Sequence, residues 1–272
     1  MLEQKKLGII GFGKMGQAIV SGMLKNKIIS VSQVIGCDLS PKIRASVNQE
    51  LGVEMLSDPK EIATRCDIIL LSVKPFHIAS VCEEISHLIN PNHLLISVAA
   101  GISTLFMEKR LPKNSAVIRV MPNTPALINE GMSVLSKGQF VSEEQLELAT
   151  GMFNAVGDVA TVEEPLMDAV TAISGSGPAY MFLMLEAMAD AGLKMGLKKD
   201  LATKLATQTM LGAAKLVKET GEMPAKLKDD VTTPAGTTIE GLVELERGNF
   251  RSTVINAILK AKERSTQLVS ND

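Results

Sequence analysis

Tryptophan is absent from this 272-residue sequence, tyrosine occurs once and phenylalanine seven times. Base stacking needs aromatic platforms, so the scarcity argues against a single-strand nucleic-acid binder. A formal charge of -2, a pI near 6.0 and no run of Lys and Arg leave no electrostatic footprint for nucleic acid. No stretch reaches the ~18 to 20 apolar residues that a membrane-spanning helix needs, so no membrane partner is expected. The first six residues run straight into a strand-like segment with no cleavable apolar stretch. Cys37, Cys66 and Cys82 are odd in number and lack pairing spacing, which argues for a reducing compartment, with cytoplasm as the expected location. His77, His87 and His93 match no ligand spacing, and no metal is expected. His87 and His93 read as surface residues, and His77 as at most the edge of a site. No serine nucleophile in a G-x-S-x-G turn and no Cys with a fitting His occur, so hydrolysis and acyl transfer lack support.

What is present is an alternation. Short apolar runs at Lys6 to Gly11, Gln33 to Cys37, Asp67 to Val73 and Leu94 to Ala99 read as strands. Runs that apolar fit strands covered on both faces of a parallel sheet. Between them lie helical patterns at Met15 to Lys25 and at Pro41 to Glu50, the latter with Ser40 as N-cap. Further strands are expected at Ser115 to Met121, Met132 to Leu135 and Asp158 to Val162, with a helix at Glu143 to Phe153. This is an α/β pattern, a doubly wound and mostly parallel sheet of the Rossmann type. From Pro165 the strand-like runs stop. Long patterns at Pro178 to Met195, Lys199 to Glu219 and Phe250 to Val269 predict an all-helical second domain. The division is placed at 1–163 and 164–272. These helices carry Ala, Met and Leu around much of their circumference, so association of copies through this half is expected.

Gly11-Phe12-Gly13-Lys14-Met15-Gly16 fits G-x-G-x-x-G directly after a strand and at the start of a helix. Gly11 permits the tight turn, Gly13 lets the backbone approach a pyrophosphate, and Gly16 lets helix pack on strand. The helix N-terminus then meets the phosphate charge. In that context the pattern predicts dinucleotide binding. Asp38, at the end of the second strand, stands where an acid would accept a ribose 2′-hydroxyl. Ser40, Lys42 and Arg44 follow at once and could instead hold a 2′-phosphate, so NADPH and NADH both stay open.

Three strand ends carry small or prolyl residues: Ser72 to Pro75, Ser97 to Gly101 and Arg119 to Pro125. Ligands of open α/β sheets bind outside such ends, which leaves room for a nicotinamide ring. In the second half, Thr233-Pro234-Ala235-Gly236 is a turn feeding a helical pattern. The amides of Gly236, Thr237 and Thr238 at that helix start would suit a carboxylate. Equally, Thr237 or Thr238 could simply cap the helix.

Taken together, the stretches IIGFGKMGQAI, SVKP, SVAAGI, IRVMPNTPALINEG, SGSGPAY, GAAK and LKDDVTTPAGTTIEGL resemble the pyrroline-5-carboxylate reductases. They occur in the expected order over residues 8–250. The resemblance implies a Rossmann domain followed by a helical domain that forms an intertwined dimer, often assembled into larger rings such as decamers. It implies hydride transfer from NADPH or NADH to the C=N carbon of 1-pyrroline-5-carboxylate, giving L-proline. It implies cofactor contacts at Phe12, Gly13, Lys14 and Met15, within the motif that already singles out Gly11 and Gly16, with Ser40 near the adenosine ribose. Val73, Lys74, Pro75, Ala99, Ala100 and Asn123 would lie along the cofactor, and Asp230 would approach it from the helical domain. Glu164, Thr233, Gly236, Thr237 and Thr238 match substrate positions, with Thr238 as the catalytic hydroxyl. Two positions depart from the family pattern. Ala235 stands where a glycine is usual, and Pro59, beside Asp58, stands where an Asn often serves the adenosine.

Two other readings share these features. β-Hydroxyacid dehydrogenases combine a Rossmann domain with helices but place a lysine acid on the first inter-domain helix, typically followed by an Asn four residues on. Here that helix offers only Lys194, with Lys198 four residues later. A dinucleotide-sensing module without turnover would keep the glycine turn, although the intact SVKP and PAGTTIEGL segments argue against it.

Overall fold

The structure, a computed structural model, describes residues 5–269. The chain opens with β1 (Leu7–Ile10), α1 (Lys14–Lys25), β2 (Val34–Cys37), α2 (Pro41–Leu51), β3 (Glu54–Leu56), α3 (Pro59–Arg65), β4 (Ile68–Leu71) and α4 (Ile78–Ile85). It continues through β5 (Leu94–Ser97), α5 (Thr104–Glu108), β6 (Ala116–Met121), β7 (Gly131–Lys137), α6 (Glu143–Asn154) and β8 (Gly157–Thr161). After α7 (Met167–Val170) comes a π turn, Thr171–Gly175, and then helices only: α8 (Gly177–Lys194), α9 (Lys199–Thr220), α10 (Pro224–Asp230), α11 (Thr237–Arg247) and α12 (Phe250–Val269).

The eight strands form one sheet in the order β3-β2-β1-β4-β5-β6-β7-β8. The first six are parallel, in the order that defines a Rossmann sheet, with the chain reversing direction of travel between β1 and β4. β7 runs antiparallel to β6 and pairs in parallel with β8. Every residue of β1, β2, β4 and β5 is buried, because the sheet is covered on both faces. On one face Ile9, Leu70 and Ile96 pack with Met23 of α1 and Phe153 of α6. On the other, Ile10, Ile69 and Leu95 pack with Ile62, Ile78 and Met107 from α3, α4 and α5. Both are the period-2 consequence of strands whose two sides are apolar.

One local prediction is met in detail, and one departure from the family pattern finds a structural place. Ser40 caps α2, accepting from the Ile43 N–H, with Pro41 in the first turn and Gly52 closing the helix at φ 69°. Asp58 caps α3 and Pro59 begins it, so the departure at residue 59 starts a helix, where a missing N–H costs nothing. His93 corrects the surface reading. It is buried, its Nδ1 accepting from the Asn90 N–H and its Nε2 lying 3.0 Å from the Ala63 carbonyl. The polar Asn90-Pro91-Asn92 turn around it satisfies the ring locally and ties it to α3. The three cysteines are buried and unpaired. Burial pushes the Cys66 thiol up to about 11 and those of Cys37 and Cys82 to about 12, so all three stay protonated and unreactive.

By packing, the chain forms two compact units, one running to Ser176 and resuming at Ala261, the other Gly177–Lys260. The segment after the last strand belongs to the sheet unit for identifiable reasons. Glu164 bonds to Thr104, Asn123 bonds to the Ser174 carbonyl, and Asp168 accepts from the Ser265 and Thr266 hydroxyls of α12. In the helical unit α8 packs on α9 through small residues: a Cβ on Gly192 would stand 2.6 Å from the Ala202 Cβ.

Candidate active site

The carboxyl ends of β1, β2, β4 and β5 lie side by side. The Gly11 N–H donates to the Cys37 carbonyl, the Ser72 N–H to Ile10 and the Val98 N–H to Leu71. The glycine turn therefore sits at the reversal point of the sheet, where open α/β folds bind ligands. Gly11 has φ 88°, and a Cβ there would meet the Ser72 carbonyl at 2.8 Å. A Cβ on Gly16 would stand 2.9 Å from the Gly11 carbonyl, so that glycine sets how closely α1 approaches β1. Gly13 is different: a Cβ there has nothing within 4 Å. It is the N-cap of α1, with no side-chain cap and no acid in the first turn. The first N–H groups of that helix have no intrahelical partner and no side-chain cap, which fits a pyrophosphate.

Around this opening the structure gathers most of the residues predicted for the cofactor. Lys14 is exposed and Met15 half-buried; Val73 and Pro75 are half-buried, Lys74 and Ala100 exposed, and Ala99 buried. Phe12 serves the turn itself. Its ring is fully buried, its N–H donates to Asp38 Oδ2 at 2.9 Å, and its carbonyl accepts from Gln17 Nε2. Asn123, at the end of β6, uses both ends of its amide. Oδ1 accepts from the Met132 N–H at 2.9 Å and Nδ2 donates to the Ser174 carbonyl at 3.1 Å, tying the loop to β7 and to the π turn.

Glu164 lies in a network that the sequence reading did not foresee. Its carboxylate accepts from the Thr104 N–H (2.8 Å) and hydroxyl (2.5 Å) at the start of α5, and pairs with Arg119 of β6 at 3.4 Å. Arg119 is only 5% exposed and its second terminal nitrogen has no partner in the structure. An arginine inside the apolar run AVIRVM was the available clue, since a buried cation requires an anion. Glu164→Gln should cost about 3 kcal/mol of stability, because it strands that buried charge. Denaturant melts check this, and a loss below about 1 kcal/mol would count against the pair.

In the helical unit, Asp230 is exposed at the end of α10 and pairs with Lys226 at 3.1 Å. Thr233 to Gly236 form a β-turn, the Gly236 N–H donating to the Thr233 carbonyl. Pro234 takes its second position and Ala235 its third, where φ is 55°. That is the positive φ a type II turn demands, so the glycine usual at residue 235 has a backbone reason and the alanine is strained. Ala235→Gly should raise stability by roughly 0.5 to 1 kcal/mol, read as a higher melting temperature; a fall would show that the turn tolerates the methyl freely.

Gly236 is the N-cap of α11 and contributes no side chain, so neither threonine caps this helix. Among the described residues, no hydrogen bond is made by the Thr237 or Thr238 hydroxyl. Thr237 is exposed and Thr238 half-buried. A positive helix end with free amides and two unspent hydroxyls can hold a small carboxylate and donate to a neighbouring atom. Lys194 is exposed in the last turn of α8, and nothing aligns an Asn with it.

The sheet order, the glycine turn at its reversal point and the uncapped helix end define a dinucleotide-dependent oxidoreductase fold. Family models agree: residues 6–101 match NADP oxidoreductase, coenzyme F420-dependent, and residues 164–268 match pyrroline-5-carboxylate reductase dimerisation. The chain is 42% identical to pyrroline-5-carboxylate reductase of Arabidopsis thaliana over 98% of its length and 96% of the relative's. It is 38% identical to that of Escherichia coli, over 97% and 98%. Among solved structures, pyrroline carboxylate reductase of Plasmodium falciparum with NADP bound aligns with TM-score 0.89 at 34% identity, covering 98% of this chain and 99% of that one. The reductase of Coxiella burnetii aligns with TM-score 0.92 at 35%, over the same shares. The chain belongs to the pyrroline-5-carboxylate reductase family.

Proposed function

We propose that the chain reduces 1-pyrroline-5-carboxylate to L-proline with NADPH or NADH. The observation that carries this reading is the helix start at Gly236–Thr238, uncapped and with unspent hydroxyls, in a chain about 40% identical to these reductases over nearly its whole length. The reduced nicotinamide supplies a hydride to the C=N carbon. The cyclic imine nitrogen is basic enough to carry a proton near neutral pH, so no strong protein acid is required. Positioning then provides most of the rate. The amides of Gly236 and Thr237 hold the substrate carboxylate, and Thr238 donates to the ring nitrogen, fixing its orientation and helping to pass a proton. Glu164 and Thr233 shape the substrate side, while the glycine turn, Asp38, Ser40, Val73 to Pro75, Ala99, Ala100, Asn123 and Asp230 serve the cofactor.

In functional terms residues 1–163 bind dinucleotide and residues 164–272 bind substrate and dimerise. Two copies pair through the helical unit, where Phe182 is 63% and Leu183 67% exposed in the single chain, and dimers assemble into a higher oligomer such as a decamer. The buried, unpaired thiols suit a cytoplasmic location. The test mixes purified protein, pyrroline-5-carboxylate and either reduced cofactor, and follows the cofactor absorbance. No loss with either would overturn the assignment.

A further inference from the structure

We propose that this chain prefers NADH to NADPH and that Asp38 makes the choice; the inference rests on the dinucleotide reading of the glycine turn given above. Asp38 directly follows β2, and its position is fixed from three sides. Its N–H donates to the Leu56 carbonyl, Oδ2 accepts from the Phe12 N–H at 2.9 Å, and Oδ1 accepts from the Ser40 N–H at 2.9 Å. The carboxylate thus bridges the glycine turn and the entry to α2. Both partners of the carboxylate are neutral amides, so its negative charge is held in place by hydrogen bonds alone. Each oxygen keeps acceptor capacity for a ribose hydroxyl, and a phosphate on that hydroxyl would meet a fixed like charge.

The groups that could have welcomed a 2′-phosphate are partly engaged within the protein. Arg44 turns its guanidinium back onto the carbonyls of Asp38 (2.7 Å) and Leu39 (3.0 Å). Ser40 Oγ accepts from the Ile43 N–H at 3.4 Å, and Pro41 brings no N–H to the first turn of α2. The residue after the acid is Leu39, 80% exposed, which offers an apolar surface and no charge. Across the strand end a second acid, Asp58, caps α3; Asp38 and Asp58 both raise the Cys37 thiol, against Arg44 alone lowering it. Asp38 and Asp58 thus place two carboxylates at this strand end, against the cations Arg44 and Lys42 of α2. Of these two, Lys42 is exposed and Arg44 half-buried.

The test is binding, measured by fluorescence titration of the full chain with NADH, NADPH and 2′-deoxy-NADH, alongside steady-state turnover with the first two. NADH should bind at least about tenfold more tightly than NADPH, and 2′-deoxy-NADH about tenfold more weakly than NADH, the loss of one hydrogen bond to a charged group. In Asp38→Asn the ratio between NADH and NADPH should shrink at least about tenfold. Equal or tighter binding of NADPH by the unaltered chain would overturn the proposal. A preference for NADH that survives both the deoxy analogue and Asp38→Asn would overturn the role of Asp38. If the variant does not fold, the deoxy analogue on the unaltered chain decides. Failure of both cofactors to bind would instead remove the dinucleotide reading itself.

Discussion

Gly13→Val should leave the fold standing and weaken binding of reduced cofactor roughly 100-fold or more, equivalent to losing two charge-assisted hydrogen bonds. The separation of the two effects is the point. Gly13 has φ -70° and ψ -170°, an extended conformation open to any residue, and a Cβ there meets nothing within 4 Å. A side chain there would stand at the N-cap of α1, where the motif brings the backbone close to a pyrophosphate. Melting temperature should therefore change by no more than a few degrees, while titration with NADH or NADPH should lose its saturable response. Gly11→Ala could not make this distinction, since the new methyl would strike the Ser72 carbonyl and require φ 88° of an alanine. Unchanged affinity in the Gly13 variant would move the pyrophosphate away from the glycine turn.

Thr238→Ala should lower turnover about 100-fold, the lower range for removing one positioned proton-handling group, and leave cofactor affinity within about twofold. Thr238 stands in the first turn of α11, its hydroxyl bonded to nothing among the described residues, so the fold loses little with it. Turnover and cofactor titration together check the role, and Thr238→Ser should retain most of the rate. Parallel losses in turnover and cofactor binding would mean that the hydroxyl supports the site's structure rather than the substrate.

Much of the site was legible because its chemistry depends on local backbone. The spacing of Gly11, Gly13 and Gly16 is a statement about one turn, and the structure gives each the close approach or open space that the pattern demands. Ser40 and Pro41 announced α2 for the same reason. β3 escaped notice, being three residues long with no buried periodic face. The antiparallel entry of β7 was equally invisible, because strand direction is decided by how the intervening chain folds back. His93 looked like a surface residue in a polar turn, and only the nearness of α3 shows that the Ala63 carbonyl meets its ring. Arg119, Thr104 and Glu164 lie up to 60 residues apart in sequence, beyond any spacing rule.

Residue order alone determined the doubly wound sheet, the place of the dinucleotide turn and the helical character of the second half, since hydrophobic period and glycine spacing act over a few neighbouring residues. It left open the use of Asp38, Ser40 and Arg44, and whether Thr237 and Thr238 were caps. Tertiary structure decides which hydrogen bonds those groups make, and a polar group's function depends on the ones the folded chain has already taken. The Asp38 carboxylate is held by neutral amides, Arg44 is turned onto carbonyls, and the threonine hydroxyls are left free.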